Sequence, residues 1–165
     1  MSEDVRDLYR DVVLDHARRP RNRRRIEGAL TAEGHNLLCG DRVTVYAEVA
    51  DDTLRDVAFE GAGCAISMAS ASMMTEAVRG RSPGDAARIA DGLRAVVGAG
   101  GAVLPGTELG PLAALAGIRG FPSRVKCALL AWTALEAALG GEWTPGPRPS
   151  EPARGAAGAT GSTAA

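Results

Sequence analysis

Cys39-Gly40-Asp41 sets a thiol and a carboxyl two residues apart, and two more cysteines, Cys64 and Cys127, follow at long range. Three thiols and one carboxyl make four anionic donors, the number that a tetrahedral Zn²⁺ or an iron–sulfur cluster takes. The cysteines are odd in number and none stands in a CxxC pair. A disulfide framework, a zinc ribbon and a thioredoxin-type redox motif are therefore excluded. Two arrangements remain: three buried structural cysteines, or three ligands drawn together from distant segments.

The elements that carry these residues favour the second. If Cys39-Gly40-Asp41 enters a strand, Cys39 and Asp41 are i and i+2 and face the same side. Their parity runs on into Val43 and Val45, so both point towards the core. Two anions there without a counter-charge are costly, and a divalent cation removes that cost. Gly40 between them gives clearance for a close-approaching metal or partner. Cys64 follows Gly61-Ala62-Gly63 and precedes a helical pattern from Ala65, so its sulfur sits at a helix N-terminus, where the partial positive charge lowers a thiol pKa. Cys127 falls in the first turns of the last helix, beside Arg124 and Lys126, which also favours a thiolate. Each cysteine lies at the end of an element. Of the two histidines, His16 belongs to a helix stripe and reads as packing, and His35 reads as an exposed loop residue.

The rest of the chain follows from periodicity. Val5, Leu8, Tyr9, Val12, Val13 and His16 form the stripe of an amphipathic helix over 3–17, ended at Arg19-Pro20. Val43, Val45, Ala47 and Val49 alternate with polar residues, predicting a strand. Asp51-Asp52 turns the chain into a second strand, Leu54–Glu60, which buries Val57 and Phe59. Ile66, Ala69, Met73 and Ala77 predict a helix closed near Arg79-Gly80. Ser82 and Asp85 open another that runs to about Val97. After a Gly-rich connection (Gly98 to Gly110), a short helix is expected around Leu112–Ala116. The last helix, from about Pro122, is expected to bury Val125, Leu129, Trp132, Leu135 and Leu139. Residues 145–165 read as a disordered Pro/Gly/Ala-rich tail after a domain spanning 1–144.

Helix, antiparallel strands, then helices is an α+β order, with a small antiparallel sheet packed against several helices. No GxGxxG or P-loop motif exists. With 45% hydrophobic residues, 24% charged and a net charge of −1, the composition suits a soluble core and gives no reason to expect nucleic-acid binding. Six arginines between Arg18 and Arg25 read as a solvated loop or a protein contact. No apolar run is long enough for a membrane span, and the acidic Met1-Ser2-Glu3-Asp4 start is no signal peptide, so a cytoplasmic location is expected.

Four motifs resemble one family. They are Leu14-Asp15-His16 with Pro20-Arg21-Asn22, then Cys39-Gly40-Asp41, then Gly61-Ala62-Gly63-Cys64-Ala65-Ile66-Ser67, and Arg124-Val125-Lys126-Cys127-Ala128. In this order and spacing, over residues 5–142, they are similar to the SufU branch of the IscU/NifU-N family of iron–sulfur cluster assembly proteins. The resemblance implies a SufE/NifU-like α+β fold with the metal site at one end. It implies Zn²⁺ held by Cys39, Asp41, Cys64 and Cys127, with Cys39 accepting persulfide sulfur from a cysteine desulfurase of SufS type. In that mechanism a histidine of the desulfurase displaces Cys39 from the zinc, and downstream Fe–S assembly proteins receive the sulfur. The housekeeping scaffolds carry an LPPVK segment and a His before the third cysteine, whereas this chain has Phe121-Pro122-Ser123-Arg124-Val125 and Lys126. A scaffold that assembles a transient [2Fe–2S] or [4Fe–4S] cluster stays open as an alternative. An inert structural zinc site is weakest, because such sites close with Cys or His.

Overall fold

The computed structural model describes residues 3–98 and 109–140; the side chains of residues 3–6, Leu8 and Tyr9 lie outside that description. The expected Gly-rich connection (apart from its ends), the boundary at 144 and the 145–165 tail also fall outside it, as do the stripe positions Val5, Leu8 and Tyr9. The order is α1 (Glu3–Arg18), β1 (Leu30–Asn36), β2 (Asp41–Ala50), β3 (Thr53–Ala62), α2 (Ala65–Val78), α3 (Pro83–Val97), a 3₁₀ helix (Gly110–Ile118) and α4 (Pro122–Leu139).

The strands form one antiparallel sheet in the order β1-β2-β3. Asp51 and Asp52 both take positive φ, 53° and 55°, the left-handed pair that a tight two-residue hairpin uses. Glu48 pairs with Asp56 but Val49 with Leu54, so Arg55 is left over as a bulge. That slip brings Leu54 onto the buried face with Val57 and Phe59, against simple alternation.

β1 was not expected from the sequence. Leu-Thr-Ala-Glu-Gly-His-Asn has no apolar alternation, and only Asn36 in it is fully buried. Pairing with β2, from Leu30↔Ala47 to Asn36↔Asp41, defines this edge strand instead. A Cβ on Gly34 would stand 3.0 Å from Leu130 Cδ1 and 3.3 Å from Leu130 O, so glycine lets α4 lie closely on the strand.

α2 also departs from expectation. Its predicted one-sided face is instead an unbroken buried run from Ser67 to Thr75, because α1, α4 and β3 all pack on it. Its hydroxyls are satisfied. Ser70 donates to the Ala128 carbonyl (2.5 Å) and accepts from Trp132 Nε1 (3.2 Å). Ser72 accepts from Arg21 N (2.8 Å), and Thr75 accepts from Asn22 Nδ2 (3.0 Å). The Pro20–Asn22 segment is thereby tied to the core.

In α3 the predicted cap is present, with Ser82 Oγ accepting from Asp85 N at 3.1 Å. The short helix is 3₁₀ and longer than expected. On α4, Trp132, Leu135 and Leu139 are buried as expected, while Val125 and Leu129 are only partly so. The arginine cluster is largely spent within the chain. Arg19 and Arg21 pair with Asp15, Arg24 pairs with Asp56, and Arg23 donates to the Gly61 carbonyl. No helix among the described residues is long and apolar enough to cross a membrane.

Candidate metal centre

The turn between β1 and β2 is built on Asn36. Its carbonyl accepts from Cys39 N (3.2 Å) and Gly40 N (2.8 Å), and its Oδ1 accepts from Leu38 N (3.2 Å). Side-chain capping of this kind is what Asn supplies in turns. Cys39 therefore sits exposed in the turn at the end of an element, and of Cys39-Gly40-Asp41 only Asp41 enters the strand. Gly40 takes a φ of +71°, the left-handed region that favours glycine, and a Cβ there would meet no atom of this chain within 4 Å.

Asp41 opens β2 and is 2% exposed, facing inward with Val43 and Val45 as its parity requires. Its Oδ1 accepts from the backbone N–H of Cys64 (2.9 Å) and its Oδ2 from Ser67 Oγ (2.6 Å). Burial raises its pKa, but hydrogen bonds from Ser67, Cys127 and Cys64 outweigh that and hold the carboxyl below its usual value. The approach is tight: a Cβ on Gly63 would fall 2.7 Å from Asp41 Oδ1.

Cys64 is the N-cap of α2. Its sulfur accepts from Ser67 N (3.4 Å) in place of the usual hydroxyl, and lies 3.6 Å from Asp41 Oδ2. Cys127, one turn into α4, is buried, with Asn36 Nδ2 3.5 Å from its sulfur. Cys39 Sγ stands 3.6 Å from Cys127 Sγ. Ligand atoms of Cys39, Asp41 and Cys127 all lie within 4.8 Å of one another. A cavity of about 420 Å³, lined by all three cysteines with Ile66, Ser123 and Arg124, opens over them.

The Cys127 thiol shifts in the opposite direction to the one expected from Arg124 and Lys126. Burial, then contact with Asp41, Cys64 and Cys39, pushes this thiol far up. Arg124, stacked 4.7 Å from the Phe121 ring, does not offset it. A soft divalent cation fits this donor set, since it replaces the proton on a buried sulfur and neutralises the carboxylate. His35 lies on β1, not in a loop, and is exposed beside Glu33. His16 is buried, with Nδ1 2.7 Å from Ser72 Oγ. Asn36 is a site residue that the sequence reading did not name, and Gly63 and Ser67 entered it only as members of the Gly61–Ser67 motif, without a role. A small polar residue three positions after the capping Cys64 was the available signal for Ser67.

A family model described as the NifU-like N terminal domain matches residues 8–128. The chain belongs to that family. The NifU-like domain here is 40% identical over 129 residues (78% of this chain, 87% of the relative) to the zinc-dependent sulfurtransferase SufU of Bacillus subtilis. It is 41% identical over 133 residues (80% and 82%) to the iron–sulfur cluster assembly scaffold protein IscU of Streptococcus pyogenes serotype M1. Among solved structures it resembles FiSufU of Fervidobacterium islandicum AW-1 with a TM-score of 0.70 at 35% identity, covering 81% of this chain and 98% of that one. This is a family of iron–sulfur cluster assembly proteins, and its NifU-like α+β fold is the one expected.

Proposed function

We propose that this chain is a zinc-dependent sulfur carrier of cytoplasmic iron–sulfur cluster assembly, with Cys39, Asp41, Cys64 and Cys127 holding one Zn²⁺. The observation that carries this reading is the contrast among the four donors. Asp41 and Cys127 are buried on a strand and a helix, and the exposed Cys64 is held as a helix cap by Ser67 N, whereas Cys39, also exposed, stands on a turn beside them. That is one releasable donor among three fixed ones.

Zn²⁺ supplies thiolates that are deprotonated yet shielded until a partner arrives. The Cys39 thiolate then attacks the outer sulfur of a cysteine persulfide on a SufS-type desulfurase. A new S–S bond forms on Cys39, the donor's S–S bond breaks, and the desulfurase cysteine leaves as thiolate. Asn36 orients the turn for this attack, and downstream assembly proteins take the sulfur onward. Leu37 and Leu38, 93% and 75% exposed next to Cys39, offer that partner an apolar contact. The SufU relative's description and the presence of Lys126 before Cys127 support this reading.

Similarity to the IscU scaffold favours a second reading, in which the same donors hold an iron–sulfur cluster. Metal content and the absorption spectrum after purification without oxygen separate the two. Colourless protein with one zinc per chain supports the carrier. Brown protein with iron and sulfide supports the scaffold.

A further inference from the structure

The sheet has two edges, and only one of them is closed. Along β3, Phe59 N donates to the Asn22 carbonyl (3.0 Å) and the Arg23 guanidinium donates to the Gly61 carbonyl (2.8 Å). Along β1, among the described residues, positions 31–35 make no backbone hydrogen bond outside the ladder with β2. Open edges are ordinarily blunted by Lys, Pro or a bulge. β1 has none of these, and Glu33 is its only formal charge. The flank beside this edge is largely apolar. Leu37, Leu38, Leu129, Leu130, Thr133 and Lys126 border a groove of about 490 Å³ between the end of the strand and α4. Leu129, Thr133 and Ala137 continue it along the outer side of α4 without a charge, where a solvated helix face carries charges.

We infer that this face binds a second copy of the chain, with β1 pairing antiparallel to β1 across a two-fold axis at Gly34, so that two three-stranded sheets join into one. The residues along the strand choose the axis. With Gly34 opposite its own counterpart, Glu33 falls opposite His35 of the second copy and Leu30 opposite its Leu38. Leu30 and Leu38, 45% and 75% exposed in the single chain, then cover each other at both ends of the seam. An axis at Glu33 or at His35 would instead set two like side chains directly opposite, which for the glutamates is repulsive. Both α4 helices lie on the same face of the joined sheet, with the uncharged strip of each bordering the seam. One short strand pair and one helix strip make a small interface, so association is weak and concentration-dependent. It covers Leu37 and Leu38, so a self-paired chain cannot offer those residues to a desulfurase; only this consequence rests on the docking contact proposed above.

The test is sedimentation velocity on the full chain from about 10 to about 500 µM, the range in which a weak interface fills, with amide hydrogen exchange at both ends of the range. The expected result is a shift from monomer towards dimer as concentration rises, with slower exchange of the β1 amides in the concentrated sample. His35→Glu, which sets Glu33 opposite a second glutamate, should keep the chain monomeric throughout. Adding Glu33→His to that variant exchanges the two sides of the pair and should restore the dimer. A chain that stays monomeric at every concentration overturns the inference. So does a dimer whose β1 amides exchange as fast as the monomer's, or one that His35→Glu leaves intact. Slower β1 exchange that appears only when a SufS-type desulfurase is added gives the edge to that partner and also overturns it. The sedimentation runs contain no desulfurase, so their failure leaves the sulfur-carrier reading untouched.

Discussion

The Ser67 hydroxyl donates to Asp41 Oδ2 at 2.6 Å, joining the first turn of α2 to the first residue of β2, and both side chains are buried. The carboxylate's other oxygen is held by Cys64 N, so Asp41 reaches the sulfurs in one fixed orientation. Ser67→Ala should cost about 1–3 kcal/mol of stability, the range for leaving a buried polar group short of a partner. Zinc affinity should fall roughly 10–100-fold, as for other residues that orient a ligand. Chelator competition beside thermal melting checks both, and unchanged zinc affinity would leave Ser67 a packing residue only.

Gly63→Ala should do the reverse of an ordinary Gly→Ala stabilisation. The new Cβ, 2.7 Å from Asp41 Oδ1 and 2.9 Å from Cγ, must push the carboxylate aside. We expect weaker zinc binding and slower sulfur acceptance from a folded protein. Metal titration of the purified variant measures the first directly.

Leu37 and Leu38 stand out in the solvent, so replacing both with Asp should change stability by no more than about 0.5 kcal/mol. Stimulation of a cognate desulfurase should nonetheless fall sharply, mainly through a raised half-saturation concentration. Equal half-saturation in the variant and the wild type would remove this turn from the docking surface.

His16 gives the pH dependence. Burial, and then the Arg21 charge, lowers its pKa below 6.5 against the opposing pull of Glu76 and Asp15. The folded state therefore disfavours the protonated ring. The stability His16 contributes is present above pH 6.5 and is lost as pH falls below it. Denaturant midpoints at pH 7.5 and 5.5 should differ more in the wild type than in His16→Gln. An identical pH difference in the two proteins would contradict this.

Much of this architecture was legible in the sequence because local chemistry and tertiary contact agreed. The alternation of Val43, Val45 and Ala47 marked β2, and Ser82 with Asp85 marked the start of α3. β1 was hidden because an edge strand under α4 is defined by its partner and by Gly34, not by apolar residues of its own. α2 misled because Ala, Ser and Met pack on every side once hydroxyls find partners such as Ala128 O and Arg21 N. At the centre, types and spacing singled out Cys39, Asp41, Cys64 and Cys127; the ligand atoms of Cys39, Asp41 and Cys127 lie within 4.8 Å of one another, and Cys64 Sγ lies 3.6 Å from Asp41 Oδ2. The sequence leaves open whether Cys39 enters the strand; it does not, because Asn36 caps a turn, a choice that Asn-Leu-Leu-Cys-Gly does not announce. Cys127 was misjudged because neighbouring charges in sequence were weighed and burial was not.

The central claim is that three fixed donors hold zinc while Cys39 takes sulfur. Mass spectrometry under non-denaturing conditions tests it most directly, on chain purified without oxygen and incubated with a SufS-type desulfurase and cysteine. The account predicts one zinc per chain and one additional sulfur atom, mapped to Cys39. Iron and inorganic sulfide in place of zinc, or the extra sulfur on Cys64 or Cys127 with Cys39 bare, would contradict it.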